Sequence, residues 1–255
     1  MDKTVTLILG LGQVVGEAIA RRFHEDGHAV ALADPAQKRL DRAEENLGEQ
    51  ATYHHENLHT KLGLRNAMAA ASETYGHVDN IVVIPRIPDP APLSDVDIEE
   101  FAKTHGQAMR GAVTLLKLFS KMVEARDELP GSSMERRTQK GSVTFILSLS
   151  AEQAYPGGFA DSVTQHAMLG VVKAAAVELA PQLIRVNAIC ALRPRAEAAE
   201  PWLKTRTPLQ RAALGDEIAE AALFLSRPRS AIITGEVMVM DGGRGRLGGV
   251  ITENN

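Results

Sequence analysis

One cysteine, Cys190, stands in a chain of 255 residues. A disulfide framework within the chain is therefore excluded, and the lone thiol fits a reducing compartment. No apolar run is long enough to cross a bilayer. Met1-Asp2-Lys3-Thr4 leads directly into a strand pattern, so no secretory leader is expected. Together these absences set the expectation of a cytoplasmic protein with no membrane role. An excess of one charge is missing too. The formal net charge is -4, which gives no reason to expect a nucleic acid or other polyanion as partner. No metal-ligating cluster is read from the chain. What remains is 44% apolar residues, enough for a substantial core.

The chain alternates strand and helix patterns. Short apolar, β-branched runs predict strands at Thr4–Leu9, His28–Ala33, Ala51–His55, Asn80–Ile84, Ser142–Leu149, Ile184–Cys190 and Glu236–Met240. Helical spacing predicts helices over Val14–Asp26, near Pro35–Leu47, and over Thr60–Tyr75, Gly106–Ala125, Ala160–Leu179 and Asp216–Leu225. Buried strands alternating with helices imply an α/β fold with a parallel, doubly wound sheet and helices on both faces. No linker divides the chain, so residues 1–255 are expected to form a single domain, with 244–255 as a C-terminal tail. Glu124 to Lys140 is poor in apolar residues and reads as a solvated loop. Leu192 to Gly215 carries Arg193, Arg195, Lys204, Arg206 and Arg211 with Trp202, and is read as a solvated loop in preference to a lid for an anionic substrate.

The first strand ends in Leu9-Gly10-Leu11-Gly12-Gln13-Val14-Val15-Gly16 and a helix follows. Glycines in that context let the backbone turn sharply and approach a pyrophosphate, and the helix N-terminus offers free N–H groups. Asp34 closes the second strand. A carboxylate there can accept hydrogen bonds from ribose hydroxyls and repel a 2′-phosphate, which favours NAD(H) over NADP(H). The competing readings are a tight turn with no ligand for the glycines, and a cap or turn residue before Pro35 for Asp34.

Several blocks in order resemble the short-chain dehydrogenase/reductase family. These are the Gly10–Gly16 turn, Gly141-Ser142-Val143-Thr144-Phe145-Ile146-Leu147-Ser148, the stretch from Glu178 to Ala188, Asp216-Glu217-Ile218-Ala219, and Ile233 to Gly243. The resemblance runs from about residue 4 to 243. It implies a Rossmann-type sheet of seven parallel strands, nicotinamide-dependent oxidoreduction of a small-molecule substrate, and a homodimer or homotetramer. It places the cofactor against Gly10, Gly12, Gln13, Val14, Gly16, Asp34, Asn57 and Leu58, and the active-site serine at Ser148.

Departures from the family pattern cluster at the reactive end. The family's Tyr-x-x-x-Lys falls on Asp161 and Gln165. Asp161 lies thirteen positions after Ser148, and Gly170 fixes the same register from the other side. The family's Asn in the long helix falls on Ala108, its Asn-Asn-Ala-Gly on Val83-Ile84-Pro85-Arg86, and its Pro-Gly on Ala191-Leu192. A carboxylic acid in water is ionised at neutral pH and so donates a proton poorly, and an amide carries no charge. Tyr155, between Ser148 and Asp161, is a lesser candidate and is expected mainly to pack. His166 is read as a surface or interface residue, and His105 has no evident partner. Two functions follow. One is an NAD(H)-dependent oxidoreductase with a degenerate active site, built of Ser148, Asp161, Tyr155 and Gln165, and a non-standard relay of Ser148 with Asp161, Tyr155 or water. The other is a catalytically silent subunit that regulates or supports a partner, such as an active homologue.

Overall fold

The computed structural model describes residues 3–12, 14–126, 139–192 and 201–250. Seven strands form one parallel sheet: β1 (Val5–Leu9), β2 (Ala29–Asp34), β3 (Thr52–His55), β4 (Asn80–Val83), β5 (Gly141–Ser148), β6 (Ile184–Ala191) and β7 (Val237–Met240). Their spatial order is β3-β2-β1-β4-β5-β6-β7. The helices are α1 (Val15–Glu25), α2 (Gln37–Leu47), α3 (Lys61–Tyr75), α4 (Ile98–Glu124), α5 (Phe159–Leu179), α6 (Pro201–Arg206) and α7 (Gly215–Ser226). This is the Rossmann-type α/β architecture that the alternating pattern predicts.

Strand alternation divides the core in two. Along β1, Leu7 and Leu9 face one layer, where Leu64, Met68, Leu115, Phe119, Met168 and Val172 of α3, α4 and α5 pack. Ile8, between them, faces the other layer with Ile19 and Phe23 of α1, Leu40 of α2 and Ile218 and Leu223 of α7. A strand buried on both faces has no polar side to offer, which is why β1 reads Val-Thr-Leu-Ile-Leu. Each fully buried Leu, Ile or Phe contributes about 1.5–3 kcal/mol of transfer free energy.

Most element boundaries fall within two residues of expectation, and the exceptions have local causes. Helix α4 begins at Ile98 and not at Gly106. The Asp97 side chain caps it by accepting the Glu100 N–H at 2.9 Å, and Glu99 and Glu100 sit in its positive first turn. Gly106 lies inside the helix, so its presence there marks no boundary. The short helix α6 falls inside the segment read as a loop. His28 lies outside β2, and its Nδ1 is 2.8 Å from Thr6 Oγ1. The proposed loop at Glu124–Lys140 falls mostly outside the described residues, as do Arg193, Arg195 and the 251–255 end of the tail. No helix among the described residues is long and apolar enough to cross a membrane.

The order β2-β1-β4 puts the reversal of strand winding between β1 and β4. The carboxyl ends of these strands therefore open the crevice in which such sheets hold ligands. Gly10, Asp34, Ile84 and Ser148 all stand at or just beyond these ends.

Candidate functional site

The turn after β1 is built on glycine for reasons of space. Gly10 has φ +83, and a Cβ there would lie 2.4 Å from the Ile84 carbonyl oxygen. The backbone after β4 thus packs directly on the turn. Gly16 has no room either, since a Cβ would meet Leu11 Cα at 2.6 Å, where α1 closes on the turn. Gly12 has φ +60 and lies beneath the Ile84 side chain. Val14 precedes α1 with no side-chain cap and is 61% exposed, so the first N–H groups of the helix lack a side-chain acceptor from the cap residue. Gln13 lies outside the described residues.

Asp34 is buried and fully engaged with the protein. Its Oδ2 accepts the Leu11 N–H at 2.8 Å, and its Oδ1 accepts the Ala36 N–H at 2.7 Å and the Arg39 guanidinium at 2.9 Å. The carboxylate therefore fastens the glycine turn to the end of β2, the turn-residue reading weighed for it above. Arg39 was absent from the candidates. Its signal in the sequence is weak, a cation one turn into the helix that follows Asp34.

A cleft of about 510 Å³ opens over these strand ends. Gly10, Gly12, Asp34 and Leu58 line it, and so do Arg39, Pro85 and Arg86. The β-branched bulk at Val83 and Ile84 is buried beneath the cleft and does not close it. Ala108 is also on its wall. Asn57 is exposed, and its side chain accepts the His59 N–H at 3.1 Å. Asn57 does not line the cleft, and Gly16 and Val14 do not either. Four of the eight residues expected at the cofactor are thus brought together, and three others serve the surrounding backbone.

Ser148, Tyr155, Asp161 and Gln165 form one hydrogen-bonded cluster. Asp161 and Gln165 are four apart on α5, so they share a face. Gln165 Oε1 accepts the Ser148 N–H at 2.7 Å, and this fixes which end of the amide points at the serines. Gln165 Nε2 then lies 2.6 Å from Ser148 Oγ, 2.6 Å from Ser150 Oγ and 2.5 Å from Asp161 Oδ1. The two serine hydroxyls are in contact with each other. Tyr155 donates its phenol proton to Asp161 Oδ2 at 3.0 Å. Its ring lies on Gly158, where a Cβ would come within 2.1 Å of Cζ. Tyr155 therefore packs, as expected, and also reaches the cluster.

Three oxygens crowd one amide nitrogen that carries two protons. At most two of the three can take a full hydrogen bond at once. Asp161, Gln165 and Ser150 are each at least 95% buried, so solvent does not make up the difference. Ser150 was absent from the candidates; it is the second hydroxyl after β5 and had no motif to announce it. None of Ser148, Tyr155, Asp161 and Gln165 lines the large cleft or the smaller cavity beside it.

The histidines set apart above resolve simply. The His105 ring has a partner after all: Nδ1 is 3.1 Å from Thr164 Oγ1, and the ring stacks at a tilt on Phe101. His166 is exposed, with Nδ1 2.8 Å from its own helix's Ser162 carbonyl. Burial and the nearby Arg86 charge push the His59 imidazole, at the edge of the cleft, below its ordinary value.

Comparison with known proteins agrees with this architecture. The family model described as Enoyl-(Acyl carrier protein) reductase matches residues 10–244. "Short-chain dehydrogenase anuF" of Penicillium roqueforti is 26% identical, over 94% of this chain and 95% of that protein. "Short-chain dehydrogenase reductase 3a" of Arabidopsis thaliana is 25% identical, over 95% of each. The crystal structure of a 3-ketoacyl-(acyl-carrier-protein) reductase from Brucella melitensis, complexed with NADH, superposes with a TM-score of 0.81 at 26% identity, covering 94% of this chain and 98% of that one. On the family match, the sheet order and the glycine turn together, the chain belongs to the short-chain dehydrogenase/reductase family of oxidoreductases.

Proposed function

We propose that the chain binds NAD(H) through the adenosine half and that its reactive end has lost the proton donor of ordinary carbonyl–alcohol turnover. The observation that carries this is the contrast between two places. Around Gly10, Gly12, Asp34 and Leu58 a cleft remains that is large enough for part of a dinucleotide. Around Ser148 the Tyr155, Asp161 and Gln165 side chains are bonded to one another and to the serine. The proposed preference for NAD(H) over NADP(H) follows the Asp34 carboxylate at the end of β2, although Arg39, paired with it on the cleft wall, offsets its repulsion of a 2′-phosphate. Val14, Gly16 and Asn57 lie outside the cleft lining and act on it through the turn and backbone that they hold.

When bound, the nicotinamide would supply or accept a hydride. The matching proton is the chain's own task, and here the residues fall short. Tyr155 hands its hydrogen bond to Asp161, and Gln165 joins Asp161 to Ser148. A primary amide donates hydrogen bonds but does not pass protons on, so the path from Tyr155 to Ser148 stops at Gln165. If hydride transfer occurs, the proton comes from Ser148 Oγ itself, from Tyr155 or Asp161 directly, or from water. The interrupted path favours a second reading, a silent subunit that supports a partner. That partner is a second copy of this chain in a dimer or tetramer, or an active homologue. The proposed site is in a cytoplasmic protein with a small-molecule ligand.

Isothermal titration with NADH tests the binding reading. Micromolar binding is expected, weakened in Asp34→Ala; no binding at millimolar NADH would remove it. The melting temperature of Asp34→Ala is read beside it, because the same carboxylate holds the Leu11 turn. Pull-down from the native cells tests the second reading: recovery of a homologue bearing Tyr-x-x-x-Lys supports it, and recovery of only the homo-oligomer counts against a heteromeric partner.

A further inference from the structure

Beside the large cleft lies a second cavity of about 200 Å³, between the loop after β4 and the first half of α4. Arg86, His59 and Gln107 line both spaces and so stand at their junction. These three side chains share a property. Among the described residues, the Arg86 guanidinium meets no carboxylate or carbonyl, and the Gln107 amide makes no hydrogen bond. His59 Nε2 is shut off from solvent and has no hydrogen-bond partner. Burial first, and then the nearby Arg86 charge, hold the His59 imidazole below its ordinary value.

We propose that Arg86, His59 and Gln107 form a binding site for a small anion, a carboxylate or phosphate group, at the junction of the two cavities. Arginine offers a planar fork that matches either group with two parallel hydrogen bonds. The Gln107 amide supplies further donors on the same acceptor, and the His59 ring stands on the lining beside them, where it reports the bound charge. The body of the ligand enters the smaller cavity, where Ile87 and Phe101 give an apolar wall. Two other acids on that lining are already engaged: Asp97 caps α4 and Glu100 pairs with Lys103. Asp89 stands on the same lining and sets a limit on where negative charge is tolerated. The site differs from the Ser148 cluster, none of whose members reaches either cavity, and it does not depend on dinucleotide binding.

The test is a titration of the full chain with inorganic phosphate and, separately, acetate at constant ionic strength. The His59 ring and Arg86 Nε are followed by ¹H–¹⁵N NMR. A saturable shift of both signals is expected with at least one anion, and which anion produces it separates a phosphate source from a carboxylate source. Arg86→Gln should weaken it by about tenfold or more. Gln107→Ala should weaken it without removing the His59 signal, and unchanged melting temperatures show that both variants fold. No saturable shift with either anion, or undiminished affinity in both variants, would overturn the proposal. NADH binding on the same samples is read by its own fluorescence. Anion binding without NADH binding sinks only the dinucleotide reading, and the converse sinks only this one.

Discussion

Gln165 holds Ser148 from two sides: its Oε1 accepts the serine's backbone N–H at 2.7 Å while its Nε2 donates to the serine's Oγ at 2.6 Å. A hydroxyl so engaged, on a residue whose backbone is also fixed, has little freedom to meet a substrate. The same amide reaches Asp161 and Ser150, so it is the hub of the cluster. Gln165→Ala would take the donor from the buried Asp161 Oδ1, whose Oδ2 keeps Tyr155, and would leave the Ser148 backbone N–H without its acceptor. Chemical denaturation is expected to show a loss of about 1–3 kcal/mol, the cost of leaving buried polar groups unmade. A variant as stable as the parent would show that the cluster is satisfied without its hub.

Tyr155 gives a contrasting case. Tyr155→Phe removes one hydrogen bond to Asp161 and leaves the ring in place on Gly158, so the expected cost is about 1 kcal/mol. Gly158→Ala puts a methyl where the ring lies and must displace it, since a Cβ would stand 2.1 Å from Cζ. The glycine variant should therefore be the less stable of the two in thermal melting. The reverse order would mean that the phenol bond, and not the ring's seat, holds Tyr155.

Gly10→Ala tests the turn. The substituted residue would have to keep φ +83 and lose its contact of 2.4 Å with Ile84 O. Strain of this kind costs about 1–3 kcal/mol before any backbone shift. Both stability and NADH affinity should fall. Gly76→Ala, with φ +87 but open space around the Cβ, should lose stability and leave NADH affinity unchanged.

Stability should also fall with acid in two windows. Burial pushes the His28 imidazole below its ordinary value, against the pull of Asp26 and Asp79. Such a histidine takes up its proton on unfolding, so its neutral form stabilises the fold above the unfolded pKa of about 6.5, and the benefit is lost as pH drops below that. His54 and His59 shift the same way, burial being the largest cause for each. Denaturation midpoints at about pH 7.5 and 5.5 should therefore differ, and His28→Gln should flatten the difference. At lower pH, Asp79 follows. Although burial opposes it, the hydrogen bonds from His77 and the Val5 N–H and the charge of Arg126 hold its carboxyl below the usual range. Its contribution is present above about pH 4 and disappears as pH falls through the depressed value.

The elements of the fold could be read from the chain because their signals are local. Leu7 and Ile8 alternate between two apolar layers, and Asp161 and Gln165 sit one helical turn apart whatever surrounds them. The start of α4 is less legible, because Gly106 looks like a boundary and the Asp97 cap stands nine residues ahead of it. Arg39 on Asp34 depends on how a turn places a side chain, and no spacing rule predicts it. Ser150 and Tyr155 join the cluster through tertiary contacts, one after a strand end and one across a glycine. The anion junction is less legible still, because Arg86, His59 and Gln107 come from three separate loops and helices and meet only in the folded chain.

The central claim is that this chain grips the adenosine half of a dinucleotide and has lost the family's hold on the reactive half. Isothermal titration of ADP-ribose and of NADH under identical conditions tests it most directly. The account predicts that both bind, with dissociation constants within about threefold, because the nicotinamide end adds less than about 1 kcal/mol. NADH binding more than about tenfold tighter than ADP-ribose, or no binding of either at millimolar concentration, would contradict it.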